Sequence, residues 1–92
     1  MMKAKMWNVK WWGAEINAYK INCKYSKLLK KSGFNVLGEI EYHFNPQGYT
    51  KLWLLGESHF AVHTFPERKK TYFELSSCNK KYFDNFRKLT GN

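Results

Sequence analysis

Residues 49–77 read YTKLWLLGESHFAVHTFPERKKTYFELSS, and the way this stretch divides decides the fold. Three runs rich in aromatic and β-branched residues stand out, Tyr49–Gly56, His59–Phe65 and Lys70–Ser77, separated by breaks of a few residues. Such runs read as strands, and strands joined by connections this short must be antiparallel neighbours. Just upstream, Asn45-Pro46-Gln47-Gly48 is a turn, because Pro presets φ and Gly permits positive φ. It makes a hairpin partner of the strand-like segment Phe34–Phe44.

Toward the N-terminus, Lys5–Trp12 (KMWNVKWW) reads as a first strand closed by Gly13. From Asn17, an N-cap type, the residues Ile21, Tyr25, Leu28 and Leu29 recur at helical spacing, and Gly33 stands where a helix ends on a left-handed residue. At the other end, Asn79–Leu89 places Tyr82, Phe86 and Leu89 on one helical face, widened by Phe83. The order β-α-β-β-β-β-α predicts an α+β fold: a two-layer αβ sandwich, its mainly antiparallel sheet carrying two helices on one face. The other face is left to solvent or to a second copy. A chain holding Trp7, Trp11, Trp12 and Trp53 is not expected to keep all of it wet, so a homodimer is expected.

Composition narrows the function classes. The 92 residues predict a single domain over 1–92, and a chain of this size buries only about 60–65% of its unfolded surface. Hydrophobic residues at 43% and aromatics at 18% exclude a disordered basic tail. Sixteen Lys and Arg against seven Asp and Glu give a formal +9, which fits an anionic partner or a self-repelling soluble surface. No named nucleic-acid motif accompanies the charge, so nucleic acid is not the expected partner. No apolar run reaches the roughly 18 residues of a membrane span, and Met1–Lys10 lacks the apolar core of a signal peptide. A cytoplasmic protein without a membrane partner is expected. Cys23 and Cys78 form no CxxC pair or zinc-type grouping, so neither a disulfide framework nor a metal site is expected.

Within the decisive stretch, Glu57-Ser58-His59 follows Gly56, and His63 lies five residues beyond Ser58. Burying a hydroxyl or imidazole without a partner costs about 1–3 kcal/mol, so these groups need a reason to be there. Side chains alternate along a regular strand, which would send Ser58 and His63 to opposite faces. Gly56 and the polar triplet predict a bend or bulge that swings Ser58 toward His63, with backbone strain of about 1–3 kcal/mol at the junction.

Taken together, Glu57-Ser58-His59, His63-Thr64-Phe65-Pro66-Glu67, Cys78 at the start of a helix and the turn Phe44…Pro46-x-Gly48 closely resemble the short prokaryotic S-adenosylmethionine decarboxylase proenzymes. Those carry ESH, then HTWPE, then a TC pair. The likeness is good over roughly residues 34–89 and loose over 4–33. It implies that Ser58 attacks the carbonyl of Glu57, that the resulting ester is broken by β-elimination, and that the dehydroalanine left behind becomes a pyruvoyl group with loss of ammonia. The chain would end as a β fragment, 1–57, and an α fragment, 58–92. The self-made ketone would form a Schiff base with the α-amine of the substrate and accept electrons as CO₂ departs, with no metal and no external cofactor.

The same resemblance implies the other roles. His63 would move the proton in processing, Thr50 would stand for the serine whose hydroxyl helps the acyl shift, and Cys78 would protonate the product carbon. Glu67 would bind the substrate ribose and Phe44 would stack on its adenine. Each residue also has a plain reading: Ser58 a turn serine, His63 a strand histidine, Cys78 a small buried residue, Phe44 core, and Glu67 an ion-pair partner of Arg68, Lys69 and Lys70. Cys23 reads as structural, and His43 and His59 are given no role. The segment Trp11-Trp12-Gly13-Ala14-Glu15 departs from the F-Y-x-C-D type usual in the family. Three functions therefore stay open: decarboxylation of S-adenosylmethionine for spermidine synthesis, the same chemistry on arginine or ornithine, and a non-enzymatic basic protein that binds nucleic acid on this fold.

Overall fold

The structure, a computed structural model, describes residues 3–92. The first two residues of Met1–Lys10 and of the expected N-terminal fragment lie outside the described residues. Five strands form one sheet: β1 (Trp7–Gly13), β2 (Val36–His43), β3 (Tyr49–Leu55), β4 (Ser58–Phe65) and β5 (Lys70–Ser77). Helix α1 (Ala18–Ser32) joins β1 to β2, a 3-10 turn (Pro66–Arg68) joins β4 to β5, and α2 (Lys80–Thr90) follows β5. The strand order is β1-β5-β4-β3-β2 and each neighbouring pair is antiparallel. This is the expected α+β sandwich.

Local chemistry sets the helix ends. Asn17 Oδ1 accepts the Lys20 N–H at 2.9 Å, satisfying a donor that the first turn leaves free. At the other end Gly33 takes φ 115°, its N–H reaches Lys30 O at 3.0 Å, and the Phe34 N–H reaches Leu29 O at 3.1 Å, the paired bonds of a Schellman stop. Asn79 caps α2 in the same way as Asn17, accepting the Tyr82 N–H at 3.0 Å. The helices meet where α1 ends: Asn85 donates to Ser32 O, and the Phe34 and Tyr82 rings sit edge to face.

Both helices cover the sheet face formed by Trp53, Leu55, Phe60, Val62, Phe73 and Leu75. Between the layers Trp11 stacks on Phe73 at 5.2 Å and Tyr25 on Phe60 at 5.3 Å, so much of the aromatic content forms a ring-packed core. Ile21, Tyr25 and Leu29 of α1 are buried in it, as expected. In α2 the buried residues are Phe83 and Phe86, while Leu89 is exposed: the apolar face is centred one position away from the expected Tyr82–Phe86–Leu89 line.

One sequence expectation needs correction. The bend expected near Ser58 does not occur, because β4 keeps an unbroken register with both neighbours, from Leu55↔Ser58 to Thr50↔His63 and from Ser58↔Ser77 to Phe65↔Lys70. The irregularity lies in β2 instead, between Val36 and Gly38. The reason is burial: Phe60 and Val62 are fully enclosed, and shifting a central strand by one residue would turn both out of the core.

The face away from the helices carries exposed Ile40, Tyr42, Leu52 and Leu54 beside a trough of about 330 Å³ lined by Gly38, Leu54 and His59. No helix among the described residues is long and apolar enough to cross a membrane.

Gly33 offers a direct test of the helix junction. A Cβ there would lie 2.5 Å from the Tyr82 ring on a backbone of φ 115°. Gly33→Ala is expected to lower stability by about 1–3 kcal/mol in urea unfolding. An unchanged midpoint would contradict this account of how α1 stops.

Candidate active site

The first group of functional side chains gathers at the β3–β4 turn. Because Leu55 pairs with Ser58, only Gly56 and Glu57 remain for the loop. The left-handed conformation falls on Glu57, at φ 52°, and not on the glycine beside it. Holding a side chain there costs about 1–2 kcal/mol, so the peptide bond into Ser58 follows directly on a strained residue. Ser58 itself is 4% exposed, on the helix side of the sheet, and its hydroxyl donates to Ser77 Oγ at 2.8 Å. Cys78 follows Ser77 and immediately precedes the cap of α2; its Sγ–H donates to Glu57 Oε2 at 3.3 Å. That carboxylate is the main reason the Cys78 thiol is pushed above its ordinary range, with burial adding to it, so the group stays protonated at neutral pH.

The second group lies at the other end of β4. Thr50 and His63 face each other across the β3–β4 ladder, and Thr50 Oγ1 is 2.8 Å from His63 Nδ1. The His63 ring lies parallel to Tyr72, whose hydroxyl donates to Glu74 Oε1 at 2.8 Å. Phe44, Gln47, Thr50, His63 and Glu67 line a cleft of about 390 Å³. Phe44 is 50% exposed at its mouth, so the reading of this ring as core is set aside. Glu67, on the exposed 3-10 turn, makes no ion pair among the described residues.

The two groups stand apart. Five residues of unbroken strand span roughly 16 Å, and the odd spacing sends Ser58 and His63 to opposite faces. Glu57, Ser58 and Cys78 are brought together, as are Thr50, His63, Phe44 and Glu67, but His63 does not reach the Glu57–Ser58 bond of its own chain. Ser77 and Tyr72 were missed in the sequence. Only the strand register reveals them, although Ser77, directly before Cys78, occupies the first position of the TC-like pair. Among the described residues no group of three or more His, Cys, Asp or Glu side chains is arranged to hold a metal.

A family model described as S-adenosylmethionine decarboxylase matches residues 16–88. An S-adenosylmethionine decarboxylase proenzyme of Prochlorococcus marinus (strain MIT 9313) is 41% identical over 49 residues, covering 53% of this chain and 39% of the relative. A proenzyme of the same description from Hydrogenobaculum sp. is 46% identical over 37 residues, 40% of this chain and 28% of the relative. The chain thus spans well under half the length of the curated relatives it matches. The crystal structure of the adenosylmethionine decarboxylase from Aquifex aeolicus superposes with a TM-score of 0.67 at 18% identity, over 90% of this chain and 75% of that one.

The Glu57–Cys78 contact sets a pH test. The carboxylate favours the protonated thiol, so Glu57→Gln is expected to shift the pH profile of iodoacetamide alkylation at Cys78 to lower pH, read by mass mapping in a Cys23→Ser background. A profile that does not move would remove Glu57 as the cause.

Proposed function

The chain belongs to the S-adenosylmethionine decarboxylase family, and from that membership we propose that it is a self-processing, pyruvoyl-dependent decarboxylase that acts on S-adenosylmethionine in the cytoplasm, toward spermidine. The observation that carries the proposal is the meeting at one turn of a strained Glu57, a buried Ser58 hydroxyl and the protonated Cys78 thiol.

In processing, a bond forms from Ser58 Oγ to the Glu57 carbonyl carbon as the bond to the Ser58 nitrogen breaks, and the hydroxyl proton passes to that nitrogen. Release of strain at Glu57 favours the forward direction. Loss of the Ser58 α-proton then expels the Glu57 carboxylate, and hydrolysis of the residue left at 58 gives the pyruvoyl group and ammonia. The fit of the site to that group is supported by the enclosed position of Ser58 and by the adjacent thiol. The pyruvoyl group supplies an electron sink for the departing CO₂. Cys78, which keeps its proton at neutral pH, is the donor to the product carbon. Phe44 and Glu67 are read as the adenine and ribose contacts, and their shared cleft with His63 supports that reading.

The separation of His63 from Ser58 calls for a second copy. A two-fold axis across the strands near Ala61, relating two open sheet faces packed together, exchanges the two ends of β4. It brings the Thr50–His63 cleft of one protomer to the Glu57–Ser58 turn of its partner, while Ile40, Leu52 and Leu54 supply the apolar contact. In such a dimer His63 of the second copy approaches the turn from the open face, away from the Ser58 hydroxyl, and is read as the base that takes the Ser58 α-proton in the elimination.

Intact-mass measurement is expected to find residues 1–57 and 58–92 as separate pieces, with Ser58→Ala left whole. The processed protein is expected to release CO₂ from S-adenosylmethionine and not from arginine or ornithine. A wild-type chain that stays uncut after long incubation refutes the proposal.

Mixing tests the shared site. Ser58→Ala and His63→Ala chains are each expected to remain uncut alone, whereas co-expression restores cleavage of the His63→Ala chain. Absence of that cleavage in mixed dimers argues against a site built from two copies.

A further inference from the structure

We propose that Ser77 is the positioning residue for the Ser58 hydroxyl in self-cleavage, an inference that rests on the processing reading above and adds to it a group lying outside the paired Thr50 and His63. The β4–β5 register sets Ser58 opposite Ser77, and both are buried, Ser77 completely. Two enclosed hydroxyls 2.8 Å apart need one to donate and the other to accept. A neighbouring backbone group decides which. The Asn79 N–H, which can only donate, points at Ser77 Oγ at 2.9 Å and occupies one of its lone pairs. The Ser77 proton has the Asn79 carbonyl as its acceptor, at 3.4 Å. Ser77 is thereby left with a free lone pair facing Ser58, and Ser58 becomes the donor.

This orientation matters for the acyl shift. A serine attacks through an oxygen lone pair, and a hydrogen bond donated to that oxygen would lower its nucleophilicity. Among the described residues no hydrogen bond is donated to Ser58 Oγ, while its proton is held toward β5. The lone pairs therefore stay uncommitted beside the strained Glu57 carbonyl. Ser77 takes no net proton: the O–C bond forms, the C–N bond breaks, and the hydroxyl proton ends on the Ser58 nitrogen. The support is rigid, because Asn79 also caps α2, which is anchored in the core through Phe83 and Phe86. Any hydroxyl at position 77 serves, and a side chain without an acceptor does not.

The test follows fragment formation by intact mass after cell-free synthesis of wild type, Ser77→Ala and Ser77→Thr, with thermal melts of each in a Ser58→Ala background. Ser77→Ala is expected to slow cleavage about tenfold or more, and Ser77→Thr to stay within about threefold of wild type. Should Ser77→Ala fail to fold, Ser77→Cys replaces it, keeping the volume with a much weaker acceptor. Folded Ser77→Ala cutting at the wild-type rate, or Ser77→Thr as slow as Ser77→Ala, overturns the role of Ser77 alone. A wild-type chain that never cuts overturns the processing reading and this inference with it.

Discussion

The structure depends on the parity of one buried strand. β4 is the middle strand of five, and enclosing Phe60 and Val62 under the helices fixes which way every other residue of that strand points. Ser58 is thereby directed to the helix side and to Ser77, and His63 to the open side and to Thr50 and Tyr72. Reversing this by shifting the strand one residue would remove a ring and a valine from the core, at roughly 2–5 kcal/mol for a side chain of that size. The chemistry of the turn is thus set by packing two residues away.

The two sheet faces divide the labour. Toward the helices, aromatic rings and Leu side chains interlock, and a buried lysine is accommodated: Lys51, 2% exposed, pairs with Glu39, bonds Asn22 and lies over the Trp53 ring. A buried ammonium needs such partners, so this cation does not belong to the surface field. The exposed positive charge lies instead mainly on the helices, where Lys20, Lys24, Lys27, Lys30 and Lys31 of α1 face outward. The open face is different in kind, with aliphatic Ile40, Leu52 and Leu54 beside β2 and a polar ribbon of Asn8, Tyr72, Glu74 and Ser76 toward β1.

Much of this was legible in the sequence because short-range chemistry writes it there. Asn17 and Gly33 bracket α1, Pro46 and Gly48 mark a hairpin, and the aromatic runs between residues 49 and 77 separate cleanly into strands. The site was legible only in its members. Glu57, Ser58 and Cys78 meet across 21 residues of chain, a proximity created by the β4–β5 ladder and the start of α2. Ser77 was marked only by its place directly before Cys78, and without the ladder a serine beside another serine looks like a strand end. The expectation that Ser58 bends toward His63 failed because it weighed the local wish of a hydroxyl above the burial of Phe60 and Val62. Leu89 misled for a related reason, in that helical spacing tells which residues share a face and not how far along the face the neighbour extends.

The strand order has a last consequence for a chain opened between residues 57 and 58. The segment before the opening owns β1, β2 and β3, and the segment after it owns β4 and β5, yet across the sheet the order runs β1-β5-β4-β3-β2. The later pair is therefore clasped on both flanks by strands of the earlier piece, with α1 and α2 laid over the same core. Prising the pieces apart means unzipping two ladders at opposite edges of the clasped pair at once. Topology, rather than any covalent tie, makes them a single interlocked body.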